Sequence, residues 1–492
     1  MKEKVHVAFL WHMHQPWYLL PGGREAVLPW VRLRAAKDYY DMAHHLLRTG
    51  FPCTVNFTPS LTEQLRLLSA GKTSDPYTPD GPPWALGELQ GGLIPMPLAR
   101  RGLPLPPSFH SPEDFWAWFY LAWTAQTALE EDPRLKAFPS TKAPGERLSL
   151  LLGMQKELVA EVLPLYRRLE DSGQIELSTT PFYHPILPLL IDSAVAKRAR
   201  PGDDIPHFQA AADAEAQAAR ALAHHAEIFG GKPKGMWPAE GAVSPEALEL
   251  LANLGVEWVA TDGEILARTL GRPPRPEELY RPWRLRFGPQ GIIVVFRDSF
   301  LSNLVSFAYE KWPWEKAVAD LVGKIQAAVS HWSSAAPPLV LIALDGENAW
   351  DYYERNGRPF LLGLYCALLE NFAPVKIGEY IARYGPAGEL STVWSGSWID
   401  ADFRTWIGEP QQNRAWQALA EVREAAEKVG DPKKKDEALA HIYVAEGSDW
   451  FWWRSSRNHT PLFSRFARIF RAHLGQAWRA LGQEPPGELE TL

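Results

Sequence analysis

Two cysteines, Cys53 and Cys366, in 492 residues exclude a disulfide framework and fit a reducing, cytoplasmic setting. No apolar run approaches the ~20 residues that cross a bilayer. Residues 1–10 begin with charge and run as a short alternating segment into polar residues, unlike the apolar stretch and cleavage site of a secretory leader. Charge of one sign is never concentrated beyond the lysines at 433 to 435, and the net charge is −7. Neither nucleic acid nor a membrane surface is therefore expected as a partner.

What the chain has in quantity is tryptophan, 22 residues, and proline, 43 residues. Both suit structured loops and flat apolar faces, and tryptophan faces commonly stack on sugars, although many must be core. High proline and arginine content is in keeping with a thermophilic source. At ~100 to 200 residues per domain, two or three domains are expected.

Seven apolar, β-branched runs read as strands: 5–10, 53–57, 175–179, 234–237, 257–261, 292–296 and 339–344. Polar loops and helical patterns separate them, the signature of a parallel sheet with crossover helices. Ser60 with Glu63, Ser111 before Pro112 and Ser244 before Pro245 read as helix starts, and Gly173 and Gly230 as helix ends. Such alternation predicts a closed or nearly closed β/α barrel with its site at the C-terminal ends of the strands.

The residues expected after successive strands are His12 and His14; Thr58, Pro59 and Ser60; Tyr183 and His184; Glu240; Asp262; Arg297 and Asp298; and Asp345 with Glu347. Between the second and third strands, "TSDPYTPDGPPW" and "RRGLPLPPSF" are too proline-rich for regular structure. The stretch of about 70–172 reads as an excursion, in part helical, or a lid beside the site. From about 380 the strand pattern gives way to helical periodicity. The expected division is a catalytic barrel over 1–380 and a helical C-terminal domain over 381–492 that contributes to the cleft.

Glu240 stands in a Pro/Gly-flanked turn before the helix start at Ser244, where the positive helix end favours an ionised carboxylate suited to nucleophilic attack. Asp345 ends the most apolar strand with Glu347 nearby, and both features raise a carboxyl pKa as a proton donor requires. Two such carboxylates are what glycoside hydrolysis needs. The rival is metal: His12-X-His14 after a first strand, with a late aspartate, also occurs in zinc-dependent barrels. Those sites use further histidines at the middle strand ends, where this chain has Thr261, Asp262, Arg297 and Asp298, and a cationic arginine is a poor neighbour for a metal. Histidines 14 and 184 are otherwise expected to bind sugar hydroxyls, with His12 either structural or functional. In "VAEGSDWFWW" the helix breaks, and Trp450, Trp452 and Trp453 would scatter around a helix axis. They read as a sugar-stacking platform or as packing between domains, and Trp394, Trp398 and Trp406 are similar candidates.

Five segments together resemble the five sequence motifs of glycoside hydrolase family 57: "HQP" at 14–16, "GQIELSTTPFYHPILPLL" at 173–190, "GMWPAEGAVS" at 235–244, "LDGENAW" at 344–350 and "AEGSDWFWW" at 445–453. The resemblance implies a (β/α)7 barrel followed by a helical domain, and a retaining mechanism on α-glucans without a metal cofactor. It implies Glu240 as nucleophile and Asp345 as acid/base, with His14, His184, Trp237, Asp449 and Trp450 at the binding cleft. His12, Asp262, Arg297, Glu347 and Trp398 complete the residues expected to face substrate. The motif forms look closer to the α-amylase and amylopullulanase members than to branching enzymes. The expected activity is endo-acting hydrolysis of α-1,4 and conceivably α-1,6 bonds. Transfer by a 4-α-glucanotransferase is the alternative, ahead of a metal-dependent hydrolase or a non-catalytic glucan-binding protein. Retention requires the two carboxyl groups to lie about 5 to 5.5 Å apart.

Overall fold

The computed structural model describes residues 5–98, 102–103, 108–136 and 143–492. Its strands are β1 (His6–Met13), β2 (Cys53–Phe57), β3 (Ile175–Thr179), β4 (Gly235–Met236), β5 (Trp258–Asp262), β6 (Trp283–Phe287), β7 (Gln290–Arg297), β8 (Leu339–Asp345), β9 (Ala373–Pro374) and β10 (Glu389–Leu390). They form one sheet in the order β10-β6-β7-β5-β4-β3-β2-β1-β8, with β9 beside the start of β1. The seven strands expected from sequence pair in parallel. Among the described residues no ladder joins β7 to β8. The seam is crossed by the Asp298 N–H donating to the Leu341 carbonyl at 2.8 Å and by Arg297 Nη1 donating to the Ala343 carbonyl at 2.9 Å. The barrel is thus nearly closed.

Strand periodicity sorts the side chains into two cores. Val7, Phe9, Trp11 and Met13 of β1 face the surrounding helices, while Ala8 and Leu10 join Ala260, Val295, Leu341 and Ala343 in the barrel interior. The interior is narrow, and alanine recurs where facing strands approach. Ile377 and Tyr380, from the helix Ile377–Tyr384, belong to the same interior cluster.

The next inward position on each long strand is polar: His12 on β1, Asn56 on β2, Asp262 on β5, Arg297 on β7 and Asp345 on β8. This explains why the apolar run 5–10 underestimates β1. The strand continues to Met13 with its inward face turned polar, so His12 lies within β1, in register with Asn56 and Asp345. An extra antiparallel strand, β6, pairs with β7 at the edge.

Several local expectations change. Helix Pro59–Ser69 is preceded by Thr58, not Ser60. Ser60 donates to the Gln15 carbonyl at 2.9 Å and Glu63 pairs with Arg66, so no capping box forms. Ser111 and Ser244 do cap their helices through Asp114 N–H and Ala247 N–H. The first proline-rich stretch contains a helix start, Pro83–Gln90, because proline fits the first turn. Residues 100–101 and 104–107 of the second lie outside the described residues. The rest of the excursion is mainly helical and ends in the 28-residue helix Pro144–Asp171. Helices Pro410–Lys428, Pro432–Ala445, Ser448–Trp452 and Phe463–Ala480 follow the sheet. Among the described residues no helix is long and apolar enough to cross a membrane.

Candidate active site

The turn after β4 places Glu240 at φ 58°, a left-handed conformation that costs free energy for a non-glycine residue and clusters at functional sites. The segment 396–398 holds it there. Val243 and Gly396 exchange backbone hydrogen bonds of 2.8 and 3.0 Å, and Trp398 N–H donates to the Glu240 carbonyl at 3.0 Å. Trp398 Nε1–H then donates to Glu240 Oε2 at 2.8 Å. One carboxylate oxygen is fixed, and Oε1 is left 4.0 Å from His184 Nδ1. Gly396 is required: a Cβ there would sit 2.2 Å from the Ala401 carbonyl oxygen.

The motif histidines form a linked set. His12 Nδ1 donates to Asn56 Oδ1 at 2.7 Å, so its Nε2 accepts, and His184 Nε2–H at 3.2 Å is the donor. That leaves His184 Nδ1 to accept from the Ser448 hydroxyl at 2.8 Å. His184 is itself left-handed, at φ 61°. Its carbonyl accepts from Ser448 N–H at 3.0 Å, and Pro185 bridges Gly447. His14 stacks on the His184 ring at 3.8 Å and donates through Nε2 to Asp449 Oδ1 at 3.0 Å. The second and fifth motifs are thereby joined across the rim.

Exposure divides these groups. The side chains of His14 and Asp449 keep 14% and 16% of their surface, and Glu240 keeps 15%. His184 keeps 1%, and His12 is 3% exposed. A sugar can touch the first three, whereas His12 and His184 stand behind them as supports, contrary to the expectation of direct contact. Asp345 is half-buried.

Protonation follows from burial. Loss of water, then repulsion by His14, pushes His12 down to about 3; burial, His14 and His12 push His184 well below its usual value. Both are neutral at pH 7. Glu240 is pushed up to about 8, first by burial and then by the charges of Asp345 and Asp449, with the Trp398 hydrogen bond opposing. This opposes the expectation of an ionised Glu240: the helix start at Ser244 lies several residues on, whereas burial and two neighbouring carboxylates act on the carboxyl directly.

Other expected contacts are structural. Asp262 accepts from Arg297 Nε and from Ser299 Oγ, and caps the helix Gly263–Leu270. Arg297 lies over the Trp398 ring at 4.8 Å, so the pair braces the wall behind Glu240 instead of facing sugar. Glu347 is 3% exposed, with Oε1 3.4 Å from the Gln15 amide nitrogen, and burial followed by Asp345 raises its pKa well above the usual carboxylate range. Trp237 and Trp450 are 0% and 1% exposed, and Trp450 donates to the Val444 carbonyl at 2.7 Å. Neither can be a stacking platform; Trp398, Trp452 and Trp453 remain half-buried.

Sequence reasoning missed Ser448 and Asn56, which orient the histidines, and a buried ionic cluster. Lys37, on a π-helical turn at Ala35–Tyr39, donates to Asp38, Asp351 and Asn356, each within 2.8 Å, and Arg34 pairs with Asp38 and Asp351. This anchors the loop that follows Asp345 at the end of β8. A polar residue amid the apolar run "CTVNF" was the available signal for Asn56.

His12, His14 and His184 each offer a nitrogen within 4.8 Å of the others. Lone pairs of imidazole lie in the ring plane, and the three rings are nearly parallel, at 12°, 21° and 16°. The stacked planes of His14 and His184 cannot meet at one ion, and the hydrogen-bond chain already uses the His12 and His184 lone pairs. The residues do not fit a metal centre.

The sequence pattern of glycosyl hydrolase family 57 matches residues 8–392. An α-amylase of Pyrococcus furiosus is 25% identical over 186 residues, 38% of this chain and 24% of that protein. A 4-alpha-glucanotransferase of Thermococcus litoralis is 27% identical over 180 residues, 36% of this chain and 23% of that protein. The alignments thus span about a quarter of the length of these curated relatives. In three dimensions the α-amylase AmyC from Thermotoga maritima superposes with a TM-score of 0.65 over 97% of this chain and 93% of that one, at 14% identity, a likeness of fold.

Proposed function

Because the chain belongs to glycosyl hydrolase family 57, we propose that it cleaves α-glucosidic bonds of an α-glucan with retention, through a glycosyl-enzyme on Glu240. The observation that carries this reading is the unequal treatment of the two Glu240 oxygens. Trp398 holds Oε2 at 2.8 Å, whereas Oε1 lies 4.0 Å from His184 Nδ1. A nucleophile needs one oriented, unencumbered oxygen, and pre-paid orientation lowers the barrier.

Burial and the charges of Asp345 and Asp449 favour the protonated form of Glu240. For attack that proton passes, directly or through water, to Asp345, which gives it to the departing glycosidic oxygen. Glu240 Oε1 then bonds to the anomeric carbon as that bond breaks, and Asp345, now ionised, takes the proton of the incoming water. His14 and Asp449, both partly exposed, bind hydroxyls of the reacting sugar. Their positions are set by Thr58 and by the His184 stack.

The match to a 4-alpha-glucanotransferase supports a second reading, in which another sugar hydroxyl replaces water. Product analysis on soluble starch, pullulan and maltotetraose separates the two. New reducing ends from starch support hydrolysis, redistribution of maltotetraose into longer chains supports transfer, and cleavage of pullulan adds α-1,6 bonds. Glu240→Gln and Asp345→Asn should abolish either activity, and full activity in either variant removes the proposed roles.

A further inference from the structure

A cavity of about 730 Å³ opens between the helix after β5 (Gly263–Leu270), the start of the helix after β7 (Ser299–Phe307) and Trp394. Its size falls within the roughly 300 to 1,000 Å³ of ligand pockets. It shares structure with the active site. Arg297 borders the cavity and lies over the Trp398 ring, and Trp394 stands on the same segment as the indole that holds Glu240.

Its lining includes one strongly exposed apolar ring: Phe300 is 61% exposed, with Lys324 Nζ 5.9 Å from the centre of one face. Phe307, 71% exposed, ends the same helix and lies outside the cavity lining. The lining also holds Arg268 and Glu264, paired at 3.1 Å, and Ala267. An apolar ring together with an edge of mixed charge suits a neutral chain with apolar faces and hydroxylated edges. A strong anion would meet Glu264, and a wholly apolar ligand would desolvate the ion pair without replacement.

We propose that this cavity is an accessory subsite for the part of an α-glucan chain that extends beyond the catalytic centre. Phe300 is the stacking face, and Arg268 and Glu264 supply the hydrogen-bonding edge. The inference rests on the reading of the chain as an α-glucan enzyme.

The test uses the full-length chain with Glu240→Gln, to block turnover, and calorimetric titration with maltoheptaose and maltotriose. Phe300→Ala removes the platform, and Ala267→Trp fills the cavity. The expected result is about a tenfold weaker Kd for maltoheptaose in both variants, with the maltotriose Kd changed less than twofold. Equal effects on both lengths, or no effect on either, overturn the subsite. A dimer in sedimentation that Phe307→Ser dissociates also overturns it, because a second copy then covers the face. If the unmutated chain turns over no α-glucan and the blocked chain binds neither oligosaccharide, the functional reading fails together with the inference. Turnover with unaltered Kd values sinks the subsite alone.

Discussion

Trp398 Nε1 donates to Glu240 Oε2 at 2.8 Å, across 158 residues of sequence. The bond joins the turn after β4 to a segment beyond the last barrel strand. It fixes the carboxylate without helix or strand geometry, and it opposes the burial that drives Glu240 toward its neutral form.

Trp398→Phe should therefore act on ionisation as well as position. The lost donor favoured charged Glu240, so its removal raises the pKa further above about 8. Attack needs the ionised form, and the acidic limb of kcat/KM should move to higher pH. A hydrogen bond to a charged group is worth about 1.5 to 3 kcal/mol, so kcat/KM at pH 7 should fall about 10- to 100-fold. An unchanged pH profile contradicts the assignment.

Stability should respond to Glu240 with a definite sign. Burial and the neighbouring carboxylates push the Glu240 carboxyl up to about 8 in the folded state, whereas an unfolded glutamate loses its proton near the ordinary 4.5. Between those values the folded state binds more protons, so stability falls as pH rises. Glu240→Gln should leave stability unchanged below about pH 4.5 and raise it by up to a few kcal/mol above about pH 8. Chemical denaturation of both proteins at pH 4 and pH 9 checks this.

Lys37 is wholly buried among Asp38, Asp351 and Asn356. Lys37→Met leaves two enclosed carboxylates with Arg34 as their remaining cation. Breaking a buried ionic cluster typically costs about 3 to 5 kcal/mol. Urea unfolding should show a loss of that order, with reduced kcat in what stays folded, because the loop behind Asp345 loses its anchor.

Dialysis against a chelator should leave turnover within about twofold, because the parallel rings of His12, His14 and His184 cannot converge on one ion. Activity lost to chelator and restored by zinc would contradict the histidine geometry.

The parallel strands were legible because their cores are apolar on both faces, and β2 and β3 match to the residue. The end of β1 was not, since its last inward position is His12, and polarity on one face looks like the end of a strand. β6 was missed although "WRLRFGPQG" alternates before a turn, because half of its side chains face solvent and the run lacks an apolar block. Glu240 and Asp345 could be named from their positions after strands. The upward shift of Glu240 could not, because it depends on burial and on the charges of Asp345 and Asp449 brought from distant parts of the chain. Likewise the tryptophans were visible as a class, but only packing separates buried Trp237 and Trp450 from half-buried Trp398.

The most direct test is to trap the intermediate with a fluorinated α-glucosyl fluoride that forms the glycosyl-enzyme faster than water removes it, followed by peptide mapping. The account predicts one added sugar, on Glu240, and its absence in Glu240→Gln. A label on Asp345, or no label together with an inverted first product, would contradict it.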